Sequence, residues 1–163
     1  MNTLEAIPDM KTFLISLTKR MGDSLIRDLS FIPDDKVNTS PMGCARPALE
    51  FITECGGMNL YAGKIIAGED FQPKSYEERQ AFYATMDTRG KAVEFFNRGM
   101  EVLQTALTNA TDEQLARDVK APWGEDKKAY ELAVIAVIHM AYHDGQVNYI
   151  QCLFGDGTNH WAD

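Results

Sequence analysis

The sequence predicts an all-α protein, an antiparallel four-helix bundle with a long crossover between its second and third helices. Three observations carry this. Four segments repeat apolar residues at spacings of three and four, the period of a helix that lies on a core. No segment alternates apolar and polar residues as a half-buried strand does, and no Asn-Gly turn joins two such runs. The chain has 163 residues, enough to bury a core without disulfide or metal staples, so one domain is expected over 1–163.

The first helix is expected from Pro8 to Phe31. Pro8 suits a first turn, and Met10, Phe13, Leu14, Leu17, Met21 and Leu25 recur at helical spacing. Pro33-Asp34-Asp35 ends it, and Lys36 to Cys44 reads as a loop. The second helix is expected from Arg46-Pro47 to Ala67, with Gly68 as its stop and Phe51, Cys55, Met58, Ala62 and Ile65 as its buried stripe. Gly56-Gly57 in its middle lowers intrinsic helicity by about 1 kcal/mol per glycine relative to alanine. Such a pair marks close approach of another backbone, or room kept for something bound. After Pro73, Ser75 caps a short helix with Glu78 at the capping-box position. The third long helix runs from Asp87 to Leu107 with Val93, Phe96, Met100, Leu103 and Leu107 inward. Thr111 to Leu115 forms a brief helical turn, Lys120 to Asp126 a loop, and the last helix spans Lys128 to Phe154.

Composition narrows the function. The net charge is -8 with a pI near 4.9, and the densest basic pair is Lys127-Lys128. Binding to phosphate backbones needs clustered positive charge, so nucleic acid and anionic membranes are not expected as partners. Cys44, Cys55 and Cys152 are odd in number and lack CxxC spacing, which reads as reduced thiols rather than a disulfide framework. Residues 1–8 show no basic stretch followed by a long apolar run. The longest apolar run, Leu132 to Ile138, falls far short of the roughly 20 residues that span a bilayer. A cytoplasmic protein is expected.

Chemistry concentrates in His139-Met140-Ala141-Tyr142-His143-Asp144-Gly145-Gln146, which holds two of the three histidines. A helix advances about 100° per residue, so His139 and His143 sit roughly 40° apart on one face. Both imidazoles can reach one metal ion, or both are core histidines tied into hydrogen bonds. Leu132, Ile135, His139, His143, Gln146 and Ile150 share a narrow sector, so two imidazoles and an amide interrupt an apolar stripe. Buried without partners, such groups cost a few kcal/mol. Glu54, between Phe51 and Met58, is the candidate third ligand, because a carboxylate on an apolar face calls for a cation. Its other reading is a residue at the stripe's edge that points to water. Cys55 is either a thiolate ligand or a small core filler. No Glu-x-x-His pair of a di-iron bundle is present, position 140 is Met rather than the Glu of HExxH, and no phosphate loop or serine nucleophile motif appears. His160 lies in a polar tail, Asp156 to Asp163, and is expected to be solvated.

His139-x-x-x-His143-x-Gly145-Gln146 resembles the signature of the DinB/YfiT-like metal-binding four-helix bundles. Asp112 to Leu115 followed by Pro122-Trp123-Gly124 resembles the stretch those proteins carry before their last helix. Ala48 to Asn59, ending near Gly68, resembles their second helix. The resemblance implies one divalent metal site completed from the second helix, where the usual histidine is replaced by Glu54. The implied ligands are Glu54, His139 and His143, for zinc, nickel, iron or manganese. Gln146 stands behind them, bonding Glu54, orienting a ligand or packing the helix. The resemblance also implies a small-molecule substrate and chemistry with a low-molecular-weight thiol, as in a thiol-dependent transferase or isomerase, or metal-dependent hydrolysis. Trp123 and Tyr142 either meet substrate or pack against neighbouring elements. A non-catalytic module that binds metal or dimerises, with a vestigial site, is the alternative, and a homodimer is compatible with both.

Overall fold

The computed structural model describes residues 8–72 and 74–160. Residues 1–7, Pro73 and 161–163 lie outside them, and with them most of the amino-terminal stretch read for a leader. The chain forms α1 (Met10–Ser30), α2 (Ala48–Ala67), α3 (Tyr76–Tyr83), α4 (Arg89–Asn109), α5 (Asp112–Ala116), β1 (Asp118–Lys120), β2 (Asp126–Lys128) and α6 (Ala129–Leu153). The four long helices build the expected bundle, and the crossover between the second and third of them carries α3. Local chemistry sets the boundaries. Asp9 caps α1 by accepting from the Thr12 amide at 2.9 Å. Ser75 and Glu78 form the capping box read from the sequence, and Thr111 and Gln114 form a second. Gly68 ends α2 at φ +88°, a left-handed turn in which its amide bonds back to Ile65.

Contacts fix the helix directions. Ser24 meets Asp144 and Asp28 meets Asn148, so α1 and α6 run parallel. Gly56 lies on Gly99 and Gly63 on Leu103, so α2 and α4 also run parallel. Phe51 stacks on His143 while Cys55 approaches the carbonyl of His139, which makes α2 and α6 antiparallel. Two consecutive long helices can run parallel only if the chain returns the length of the bundle between them. The segment from Gly68 to Thr88 makes that return.

The α2–α4 seam is the tightest in the molecule. A methyl group at Gly99 would stand 2.3 Å from the Gly56 carbonyl oxygen, and one at Gly63 would stand 2.7 Å from the Leu103 nitrogen. Close backbone approach is therefore the reason for Gly56, as its place in the helix suggested. Two apolar clusters fill the bundle. One surrounds Ile66, Leu103, Leu107 and Leu132; the other surrounds Leu25, Ile52, Phe96 and Met140.

Three expectations need correction. The stretch after α5 holds an antiparallel ribbon, with Asp118 opposite Lys128 and Lys120 opposite Asp126. Three-residue strands show no alternation in a sequence. They are held by cross-strand ion pairs, Lys120–Asp126 and Lys128–Asp118, each at 2.7 Å, and by Tyr61, whose hydroxyl donates to the Lys120 carbonyl at 2.6 Å. The buried face of α6 runs through Leu132, Ala133, Ala136, Met140, His143, Val147 and Ile150. Ile135, His139 and Gln146 sit at its edge, because α6 packs on both α1 and α2. His160 is not solvated: its ring stacks on Phe31 at 3.5 Å and its Nε2 lies 3.1 Å from Asp156.

Where α1 meets α6, two carboxylates are buried together. Asp28 is paired with Arg27 at 2.9 Å and accepts from Asn148 at 2.7 Å. Asp144 accepts from Ser24 at 3.2 Å, and its Oδ1 is buried without a hydrogen-bond partner. Burial, and then the neighbouring Asp28, push the Asp144 carboxyl up to about 7. The folded state thus keeps a proton that the unfolded chain loses near the ordinary aspartate value.

Gly99→Ala should destabilise the protein by about 1–3 kcal/mol or more through overpacking. Gly145→Ala, where an added methyl meets nothing within 4 Å, should stabilise α6 by about 0.5–1 kcal/mol. Urea unfolding of both variants checks this. The same measurement across pH tests Asp144. Its contribution is fully present below about pH 4 and is lost as pH rises through about 7, with a slope of at most ~1.4 kcal/mol per pH unit. Asp144→Asn should flatten that fall.

Candidate metal centre

The antiparallel contact of α2 with α6 brings together the residues that the sequence singled out. His139 and His143, one turn apart on α6, turn their Nε2 atoms toward each other at 2.9 Å. Glu54 on α2 faces both, with Oε1 3.7 Å from His139 Nε2 and Oε2 3.8 Å from His143 Nε2. Gln146 reaches His143 rather than Glu54: its Oε1 lies 2.6 Å from His143 Nδ1. An amide oxygen only accepts, so with this orientation Nδ1 carries the proton and a neutral His143 presents an Nε2 lone pair to the centre.

Residues that sequence reasoning passed over complete the surroundings. Arg46, just before α2, binds Glu54 Oε2 at 2.7 Å and lies over the Phe51 ring at 4.7 Å. Phe51 stacks in turn on His143, centroids 4.8 Å apart. The imidazole of His139 and then the Arg46 guanidinium hold the Glu54 carboxyl at about 2, against the desolvation that pushes it up. Burial pushes His143 down, opposed by the bond to Gln146, so its neutral, ligating form is favoured. Cys55 is fully buried, and its sulfur lies within 4.8 Å of ring nitrogens of both histidines. Burial and the charge of Glu54 push its thiol far above the usual range, and its sulfur approaches the His139 carbonyl oxygen at 3.9 Å.

Glu54 and His139 form part of the wall of a cleft of about 900 Å³. Helix α3 covers one part of it, and Tyr83 packs so closely on α2 that a methyl at Gly57 would meet its hydroxyl at 2.4 Å. Trp123, at the tip of the ribbon, and Tyr142 line the cleft and stay half or more exposed, at 51% and 63%. Neither serves mainly as a packing anchor.

No family model matches the sequence, and no curated protein matches it. Solved structures do match. The chain superposes on a point mutant of a mycothiol-dependent maleylpyruvate isomerase with a TM-score of 0.73 and 15% identity, over 90% of this chain and 63% of that one. A conserved protein from Enterococcus faecalis gives 0.72 and 13%, over 92% of this chain and 100% of that one. A DinB-like protein, YjoA, from Bacillus subtilis gives 0.64 and 15%, over 90% and 94%. The fold is that of the DinB-like proteins. This chain spans 63% of the isomerase's length, and at such identities the likeness is one of shape.

Whether this bundle suits a metal ion is decided by its own donors. Ligands about 2.0–2.1 Å from a tetrahedral ion lie roughly 3.3 Å from one another. The two ring nitrogens, 2.9 Å apart, are slightly closer than that, and each stands slightly farther from its own Glu54 oxygen, 3.7 Å for His139 to Oε1 and 3.8 Å for His143 to Oε2. His143 also has the partner on its far nitrogen that ligating histidines use to fix their orientation. His139 Nδ1 is buried without one. Two imidazoles and an ionised carboxylate make a donor set that fits a divalent transition metal. Cys55, whose sulfur lies within 4.8 Å of both ring nitrogens, is the other donor at this place and would have to give up its thiol proton to serve.

Proposed function

We propose that this chain is a metal-dependent enzyme acting on a small molecule, with Glu54, His139 and His143 holding one divalent ion at the wall of the cleft. The observation that supports this is that the facing Nε2 atoms of His139 and His143 each have a Glu54 oxygen within 4 Å, Oε1 for the first and Oε2 for the second, beside a concave, aromatic-lined space. Such an ion supplies Lewis acidity, which lowers the pKa of a water or thiol reaching it. The protein's own part is positional. Gln146 and Phe51 fix the His143 ring, and Arg46 keeps Glu54 ionised and oriented. Tyr142 and Trp123 offer flat apolar surface beside the donors. A low-molecular-weight thiol as co-substrate is supported by the mycothiol dependence named for the isomerase of this shape. Thiol transfer is the leading reaction class and hydrolysis the second.

One observation favours the alternative, a bundle whose site is structural. Without a metal most of the polar groups pair with one another: His139 Nε2–H can donate to His143 Nε2, His143 Nδ1–H to Gln146, and Arg46 to Glu54, with His139 Nδ1 left over.

Metal analysis of the purified protein, before and after incubation with zinc, nickel, manganese and ferrous iron, separates the two. The wild type should hold close to one ion per chain. Glu54→Gln and His143→Ala should each lower the affinity by tenfold or more, and Cys55→Ala should retain the ion, on the order of magnitude usual for losing a ligand or its support. A protein that stays metal-free, or one that loses its metal only when Cys55 is replaced, would overturn the proposal.

A further inference from the structure

We infer that the cleft beside Glu54 and His139 takes an organic anion with an apolar body of aromatic size, and that Arg79 and Arg98 receive its charge. This rests on the proposal that the cleft is the working site, and it names the class of ligand. The chain carries a net charge of -8, yet its cleft is basic. Lys64, Lys74, Arg79 and Arg98 line it against a single acid, Glu54. Glu54 is met by Arg46 and Lys64 by Glu69. Among the described residues, Lys74, Arg79 and Arg98 form no ion pair with a carboxylate. Lys74 also acts on the Glu78 carboxylate, which leaves Arg79 and Arg98 as the cations that focus the field in this concave wall.

The apolar part of the site lies beside these cations. Phe82 and Phe95 meet edge to face at 5.0 Å. Arg79 stands three residues before Phe82 on α3, and Arg98 three residues after Phe95 on α4, so each guanidinium belongs to the turn next to that aromatic pair. Lys74 Nζ lies 5.5 Å from the Phe82 ring. Trp123, Ile138 and Tyr142 add exposed apolar surface within the same cleft. Isolated surface cations are usually only solvated. Here three of them stand beside the half-buried Phe82–Phe95 pair and share a cleft with the exposed Trp123 and Tyr142, in an otherwise acidic protein. A planar guanidinium accepts a carboxylate or phosphate in a two-pronged bond. Neutral or cationic ligands leave that capacity unused.

Calorimetric titration with naphthoate, naphthyl phosphate and naphthalenemethanol tests the inference, using the purified protein and the same protein after chelation. At least one anion should bind about tenfold more tightly than the alcohol in both preparations, and the tighter anion identifies the headgroup. Arg79→Gln/Arg98→Gln should erase the preference while leaving the alcohol's affinity within about twofold. The inference is overturned if the alcohol binds as well as both anions, if neither anion binds, or if the double variant keeps the preference. A preference in a protein that binds no metal would sink the metal proposal alone. Bound metal without the preference would sink this inference alone.

Discussion

The backbone contact between α2 and α4 is the constraint on which the rest of the structure depends. Gly56, Gly63 and Gly99 remove the side chains at the points of backbone contact, so α2 lies against α4 at a distance no larger residue permits there. That fixes the rotation and height of α2, which turns Phe51, Glu54 and Cys55 toward α6. A carboxylate that keeps one oxygen within 4 Å of each histidine is a demand that a loosely packed helix pair cannot meet, because a small roll of α2 would separate Glu54 from both. The crossover follows from the same seam: parallel neighbours require a returning chain, and that chain supplies α3, which covers part of the cleft.

Helix α6 divides its polar groups between two neighbours. Successive residues point about 100° apart, so His143 faces α2 while Asp144 faces α1. Each is buried, and each answers burial differently. His143 stays neutral with Gln146 on its far nitrogen, whereas Asp144 retains a proton beside Asp28. Both solutions keep net charge out of the interior, which is what desolvation requires. Glu54 is the exception, held ionised at the edge of the core by its cationic neighbour Arg46.

The parts legible in the sequence were those governed by local periodicity. The helices, the cap at Ser75, the short turn from Thr111 and the stop at Gly68 follow from spacing and turn chemistry. The proximity of His139 to His143 follows from helix geometry, and Glu54 stood out because its type conflicts with its position. The ribbon was hidden because its strands are too short to show a pattern. Arg46 was hidden because its bond to Glu54 spans eight residues across a helix start, with no periodic signature. Arg79 and Arg98 lie on separate helices that only the crossover brings together. His160 was misread because its stacking on Phe31 is a tertiary contact between the end of the chain and the end of α1.

The central claim is that Glu54, rather than Cys55, joins His139 and His143 around one ion. X-ray absorption at the zinc edge of the zinc-loaded protein tests it most directly. The expected first shell contains only nitrogen and oxygen at about 2.0–2.1 Å, with outer-shell scattering from two imidazole rings. A sulfur at about 2.3 Å, or scattering from fewer than two imidazoles, would contradict it.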